Sequence, residues 1–222
     1  MTLAWLKHFI ATRAKEIVAV TATAIVAYGL YKYCFSEDEY FKRIRSSTKP
    51  SKDKVVLVIG LDDSGKTCFL QSFGAANPLI KEPPRTTAIC SVSKTIGNVK
   101  YTLYEVGTGG GLIKARKAWP DFVNSLKIKA VVMVIDSADH QRINQARIAL
   151  SQFSEEINTE NINLLILANK QDNAWAMKPN KVKERITDSK YKYKSLDVIG
   201  TTVGPGKKRF GVYSAYKILS SF

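Results

Sequence analysis

Three stretches of this chain are apolar at almost every position. They are KVVLVIG (Lys54 to Gly60), AVVMVID (Ala130 to Asp136) and NLLILAN (Asn163 to Asn169). Short continuous runs rich in Val, Ile and Leu fit strands covered on both faces, as in a parallel sheet flanked by helices. A fourth stretch, VSKTIGNVKYTLYEV (Val92 to Val106), instead alternates apolar with polar residues around Gly97-Asn98. That pattern predicts a hairpin with its turn at Gly-Asn. TCFLQSF after the first run and SAYKILSSF at the end read as helices. Strands alternating with helices imply an α/β domain.

The longest uncharged run is of another kind. Ile17 to Tyr31, IVAVTATAIVAYGLY, lies between Glu16 and Lys32. As a helix it reaches about 22 Å, against roughly 30 Å for a bilayer core. Cys34 and Phe35 extend it if Lys32 snorkels its ammonium to the interface. The expectation is a spanning anchor; a buried or an interfacial helix is the alternative. Met1 to Lys15 is basic and amphipathic, so a mitochondrial presequence is a rival reading. A cleaved signal peptide fits poorly, because the apolar run starts late and no A-x-A-like site follows it. Ser36 to Lys54 is charged and contains SSTKPSKDK, a linker composition. The chain therefore divides into an amphipathic stretch and anchor over 1–35, a charged linker over 36–53 and a main domain over 54–222.

A length of 222 residues suits one α/β domain plus an appendage. The 34 Lys+Arg against 19 Asp+Glu, formally +15, raise the question of an anionic partner. A membrane surface, nucleic acid or a merely well-solvated basic surface would each be compatible. No basic zipper, zinc-finger spacing or RNP aromatics accompany the charge, so no nucleic acid is expected. Basic residues are denser after the apolar run (Lys42, Arg43, Arg45, Lys49, Lys52, Lys54) than before it (Lys7, Arg13, Lys15). The positive-inside rule then puts the main domain in the cytosol. A short anchor suits a thin membrane, the ER or the mitochondrial outer membrane. Three scattered cysteines, Cys34, Cys68 and Cys90, favour a reducing compartment.

The first apolar run leads into GLDDSGKT (Gly60 to Thr67), which matches G-x-x-x-x-G-K-[ST] between a strand and a helix. Gly60 and Gly65 permit a tight backbone path. The N–H groups of Asp62, Asp63, Ser64 and Gly65, and of Cys68 in the first helical turn, can then face phosphate oxygens. Lys66 should reach the β- and γ-phosphates and Thr67 should hold Mg²⁺. The third apolar run ends in Asn169-Lys170-Gln171-Asp172. The Asp172 carboxylate can accept from guanine N1–H and N2–H₂, a donor pair adenine lacks. Asn169 suits the other purine edge, and the Lys170 stem can cover the ring.

GLDDSGKT, VIDSAD (Val134 to Asp139) and NKQD together resemble the ADP-ribosylation factor and factor-like small GTPases over about Val55 to Phe222. The resemblance implies a P-loop small-GTPase fold: a mostly parallel six-stranded sheet, helices on both faces, and GTP or GDP at the strands' C-terminal ends. It also implies a Ser-Ala loop beside the base, which GVYSAYKIL supplies as Ser214 and Ala215, and a GTPase-activating protein, an exchange factor and an effector as partners. Thr2 stands where the family's myristoylated Gly would be, so the apolar run would replace the lipid. An anchored subset of the family and the signal recognition particle receptor beta subunit are the nearest architectural likenesses.

The family's W-D-x-G-G-Q falls on Tyr104, Glu105, Val106, Gly107, Thr108 and Gly109. Glu105 still offers a carboxylate to Mg²⁺ through water, and Gly107 an N–H to the γ-phosphate. The glutamine that orients water becomes Gly109. Losing one positioned group costs about 10²–10³ in rate, and Ras-type sites alone turn over at only about 10⁻⁴ s⁻¹. Intrinsic hydrolysis is expected to be very weak. In PPRTTAIC, Thr87 is the favoured ligand for Mg²⁺ and γ-phosphate, with Thr86 the alternative; Arg85 is an internal arginine finger or a solvated surface residue. Two readings follow: a membrane-anchored GTPase switch, or a GTP-loaded scaffold that does not hydrolyse.

Overall fold

The inner strands are apolar along most of their length because helices cover both sides of the sheet. In the computed structural model, which describes residues 23–25, 37–43, 50–84, 86, 89–107 and 112–222, the order is α1 (Glu37–Arg43), β1 (Lys52–Gly60), α2 (Lys66–Ser72), β2 (Ile89–Ile96), β3 (Val99–Val106), α3 (Leu112–Ser125), β4 (Ala130–Asp136), α4 (Ile143–Glu155), β5 (Asn163–Asn169), α5 (Pro179–Ile186), β6 (Ser195–Gly200) and α6 (Val212–Ser221). The six strands form one sheet in the order β2-β3-β1-β4-β5-β6. The β2–β3 pair is antiparallel, and β1–β3, β1–β4, β4–β5 and β5–β6 are parallel. The predicted hairpin turns at Gly97, whose φ of 62° favours glycine.

Alternate residues of each inner strand feed two cores. Leu57, Ile59, Val131, Met133, Leu164 and Ile166 pack with Trp119, Ala146, Phe153 and Val182 from α3, α4 and α5. Val56, Val58, Val132, Val134, Leu165 and Leu167 pack with Phe41, Phe69, Leu70, Val212 and Leu219 from α1, α2 and α6. The register sets Gly60 beside Val134 and Asp136 beside Asn169. The loops bearing GLDDSGKT, VIDSAD and NKQD therefore leave the sheet along one rim.

The expected linker over 36–53 is corrected. Its first part is the helix α1, and β1 already begins at Lys52. Phe41 is buried, and the Tyr40 ring lies 4.0 Å from that of Tyr213. Glu37 accepts from the N–H groups of Gly211 (2.7 Å) and Val212 (3.1 Å), capping α6. At the other end of α6, the Lys54 ammonium donates to the carbonyls of Leu219 (3.1 Å), Ser220 (2.7 Å) and Phe222 (2.7 Å). A carboxylate at the N-terminus and an ammonium at the C-terminus both match the helix dipole.

Of the expected anchor, Thr23 to Ile25 are helical and exposed. The rest of 17–31, together with Thr2 and Cys34, lies outside the described residues. Among the described residues no helix is long and apolar enough to cross a membrane.

Candidate nucleotide site

β1 ends at Gly60, whose φ is 146°. A Cβ there would lie 2.3 Å from the Val134 carbonyl oxygen. Gly65 has φ 95°, and a Cβ on it would lie 2.3 Å from Asn169 Nδ2. Only glycine fits either position. Between them the chain turns through Asp63, at φ 59°, and enters α2 at Lys66. The Lys66 side chain is folded into this loop, 6% exposed, with Nζ donating to the Leu61 carbonyl at 2.8 Å. Burial draws its pKa down, opposed by the carboxylates of Glu105, Asp62 and Asp63. Ser64 Oγ and Asp62 Oδ1 are buried without a hydrogen-bond partner among the described residues. Cys68 is half-buried in the first turn of α2, and burial raises its thiol pKa.

Two of the expected metal ligands, Thr67 and Glu105, lie together. Thr67 Oγ1 lies 3.0 and 2.9 Å from the two carboxylate oxygens of Glu105, to which it donates. Thr86 Oγ1 lies 3.0 Å from the same hydroxyl. Glu105 is 2% exposed; burial raises its pKa, against the opposing pull of Thr67, Lys66 and Thr86. These are hard oxygen donors of the kind Mg²⁺ takes, alongside waters and phosphate. Among the described residues no group of three His, Cys, Asp or Glu side chains could hold a metal, so an ion here would complete its shell from hydroxyls, water and ligand. Thr86, the alternative in switch I, is thus brought to Thr67. The favoured Thr87 lies outside the described residues, as do Arg85, Thr108 and Gly109. Gly107 directly follows β3.

The base-reading residues meet the phosphate loop through Asn169. Its Nδ2 donates to the Ser64 carbonyl at 2.8 Å, and its Oδ1 accepts from Thr201 Oγ1 at 3.2 Å. Lys170, at φ 65°, pairs with Asp136 at 2.7 Å. Gln171 Nε2 braces the loop by donating to Ser137 Oγ (2.8 Å) and the Met177 carbonyl (2.9 Å). Asp172 accepts from Lys207 Nζ at 2.7 Å, which holds its carboxyl below the usual range.

Ser214 and Ala215 do not join this group. Both sit within α6, and Ala215 is wholly buried in the core beneath the helix. The loop that reaches Asn169 instead follows β6 directly, through Thr201. A Ser-Ala string was a weaker guide than position, because the residue just past the last strand is the one the sheet delivers to the rim. Arg142 was also missed. It forms an ion pair with Asp139 and donates from Nη1 to the Asp62 carbonyl at 3.1 Å, tying VIDSAD to the phosphate loop.

The ADP-ribosylation factor family pattern matches residues 40–221. This chain belongs to the ADP-ribosylation factor family. ADP-ribosylation factor-like protein 2 of Arabidopsis thaliana is 29% identical over 165 residues, 74% of this chain and 85% of that protein. ADP-ribosylation factor-like protein 4D of Mus musculus is 29% identical over 131 residues, 59% of this chain. That match spans 64% of the mouse protein's length. The fold is shared with the Arl6 BBS3 small GTPase of Trypanosoma brucei, solved with the nucleotide analogue GppNp bound. Its TM-score is 0.62 at 24% identity, covering 76% of this chain and 96% of that one.

Proposed function

We propose that this Arf-family chain is a guanine-nucleotide-dependent switch that binds GTP and GDP with Mg²⁺. The observation carrying this reading is Asn169, which hydrogen-bonds the phosphate loop with the same amide that begins the NKQD tetrad. One residue fixes the spacing between a purine reader and a polyphosphate cradle. Thr67, Glu105 and Thr86 would hold the ion, whose chemistry is to neutralise phosphate charge. Lys66 would trade its contact with the Leu61 carbonyl for phosphate oxygens. Asp172, ionised at neutral pH, would accept from guanine once Lys207 shares or yields an oxygen. Titration calorimetry of the 222-residue chain with GTP and ATP, in Mg²⁺, tests this. Heat with GTP alone is expected; equal competition by ATP sinks the guanine assignment.

The finer reading adds a membrane. The run Ile17 to Tyr31 and the basic residues after it support an anchor in the ER or mitochondrial outer membrane, with the GTPase domain in the cytosol. Resistance of the chain to carbonate extraction is the expected result, and release by carbonate refutes it. An effector, an exchange factor and a GTPase-activating protein are the implied partners.

A second reading is favoured by one sequence feature: Gly109 stands where a water-orienting glutamine would be. Hydrolysis by the chain alone is then close to negligible, and the triphosphate form acts as a scaffold, as in a receptor subunit. Single-turnover hydrolysis with and without cytosolic extract separates the two. Phosphate release stimulated by extract identifies a switch; a persistent triphosphate under both conditions identifies a scaffold.

A further inference from the structure

α1 is seven residues long and precedes the sheet, yet it touches the loop that brings Thr201 to Asn169. Residues 201–210 form a closed loop stapled by paired backbone bonds. Thr202 N–H donates to the Phe210 carbonyl at 2.9 Å, and Phe210 N–H to the Thr202 carbonyl at 3.0 Å. Its first arm holds the base reader, through Thr201 Oγ1 to Asn169 and through Gln171 N–H to the Thr201 carbonyl at 3.1 Å. Its second arm is held from the opposite side. Arg209 is 5% exposed, and its Nη1 donates at 2.8 Å to both the Ser72 and the Ala75 carbonyls, just past the phosphate-loop helix. Its guanidinium carbon lies 5.1 Å from the Phe41 ring centroid of α1, within cation–π range. Two residues on, the Glu37 carboxylate takes the N–H groups of Gly211 and Val212. Gly211, at φ 82°, lies so close to β6 that a Cβ there would be 2.2 Å from the Gly200 carbonyl oxygen.

We infer that Glu37, Phe41 and Arg209 are positioning residues of the guanine pocket: α1, docked on Arg209 and Gly211, fixes the far arm of the 201–210 loop and thereby holds Thr201 against Asn169. The inference rests on the reading of Asn169 to Asp172 as the guanine reader. No residue of α1 contacts nucleotide in it. The effect passes through the Thr202–Phe210 staple, the backbone pair that ties the two arms where they leave the sheet.

The test uses the 222-residue chain and two variants that keep the core filled, Glu37→Gln and Phe41→Leu. Hydrogen exchange of the nucleotide-free protein is the first measurement. Both variants are expected to speed exchange of the Thr202, Phe210 and Gln171 amides about tenfold, the scale of one charge-assisted hydrogen bond, while Met133 in β4 stays protected. The second measurement is the affinity ratio of GTP to ITP, which lacks the 2-amino group. It is expected to fall about tenfold in both variants, with GDP release accelerating in step. If Glu37→Gln frees only the Gly211 and Val212 amides and leaves Thr202, Phe210 and Gln171 unchanged, Glu37 is a local helix cap and the inference is wrong. If exchange changes as expected but the unaltered chain binds no guanine nucleotide, the loop coupling stands and the guanine reading fails. Nucleotide binding with unchanged exchange and an unchanged GTP to ITP ratio overturns the inference alone.

Discussion

Replacing Asn169 should weaken the nucleotide-free protein, not only its affinity. In the structure this amide is a strut among three loops, and both its partners are buried. Asn169→Ala leaves the Ser64 carbonyl without the donor now at 2.8 Å and Thr201 Oγ1 without the acceptor now at 3.2 Å. Ser64 and Thr201 are essentially inaccessible to water, at 1% and 0% exposure. A buried polar group left unsatisfied costs about 1–3 kcal/mol, so two cost about 2–5 kcal/mol after partial relaxation around the vacated space. Against a total of about 5–15 kcal/mol this is a large fraction. At about 2–4 °C per kcal/mol for a domain of this size, the melting temperature should drop by about 5–15 °C.

Urea unfolding of the nucleotide-free chain measures this directly, because bound GTP would mask it by mass action. The slope with urea should not change, since no surface is newly exposed. Asn169→Asp should be worse than Ala. It sets a carboxylate oxygen against the Ser64 carbonyl, where Ala removes only a donor. A loss below about 1 kcal/mol for Ala, or an Asp variant milder than Ala, would show that Asn169 does not brace the loops; the link between purine reader and phosphate cradle would then be lost.

Glu105→Gln should stabilise the nucleotide-free chain at pH 8 more than at pH 4. Burial raises the folded-state pKa of Glu105 above its unfolded value, so its contribution is full below the unfolded pKa and is lost as pH rises through the folded one; equal urea-midpoint shifts at both pH values would contradict this. Thr86→Ala should weaken Mg²⁺-dependent GTP binding about tenfold and more than Thr87→Ala, by calorimetry in Mg²⁺ and in EDTA; a larger loss at Thr87 would reassign the ligand. Lys66→Ala and Thr67→Asn should each abolish tight nucleotide binding by calorimetry, and unchanged GTP affinity in either would remove the assigned site. Asp172→Asn should shift preference from guanine to xanthine nucleotides, read in a competition assay, and retained guanine selectivity would refute the carboxylate's role.

What the sequence made legible follows from how strongly each feature is over-determined. β1, β4 and β5 are continuous apolar runs because two cores bury their alternate residues, and their shortness and Val/Ile content mark them as strands. The phosphate loop was legible because Gly60 and Gly65 occupy positions that no Cβ can enter. α1 was not. Tyr40 and Phe41 bury against α6, but Glu37, Asp38 and Glu39 before them and Lys42 and Arg43 after them give the segment a linker's composition. The loop that reaches Asn169 from β6 was missed for a related reason. Ser214-Ala215 matched a familiar string, whereas Thr201 is fixed by the tertiary position of β6, whose sequence SLDVIG has too little periodicity to announce a strand end.

The charges at the rim explain why this site is legible as a receptor and not as part of the folding core. Lys66 and Glu105 are among the most buried charged side chains described, and burial is the leading cause of the shift in each, toward neutrality. A lysine whose folded pKa is depressed contributes stability only above its unfolded pKa and loses it as pH falls through the folded one. A glutamate whose folded pKa is raised does so only below its own. Burial thus makes the charged form of each costly. The single carbonyl held by Lys66 and the hydroxyl contacts of Glu105 recover part of that cost. A polyphosphate with its magnesium ion would supply opposite charge to both at once, in a setting where desolvation strengthens the attraction. Burial that is unfavourable to the free chain thus becomes affinity for a charged ligand that compensates both groups.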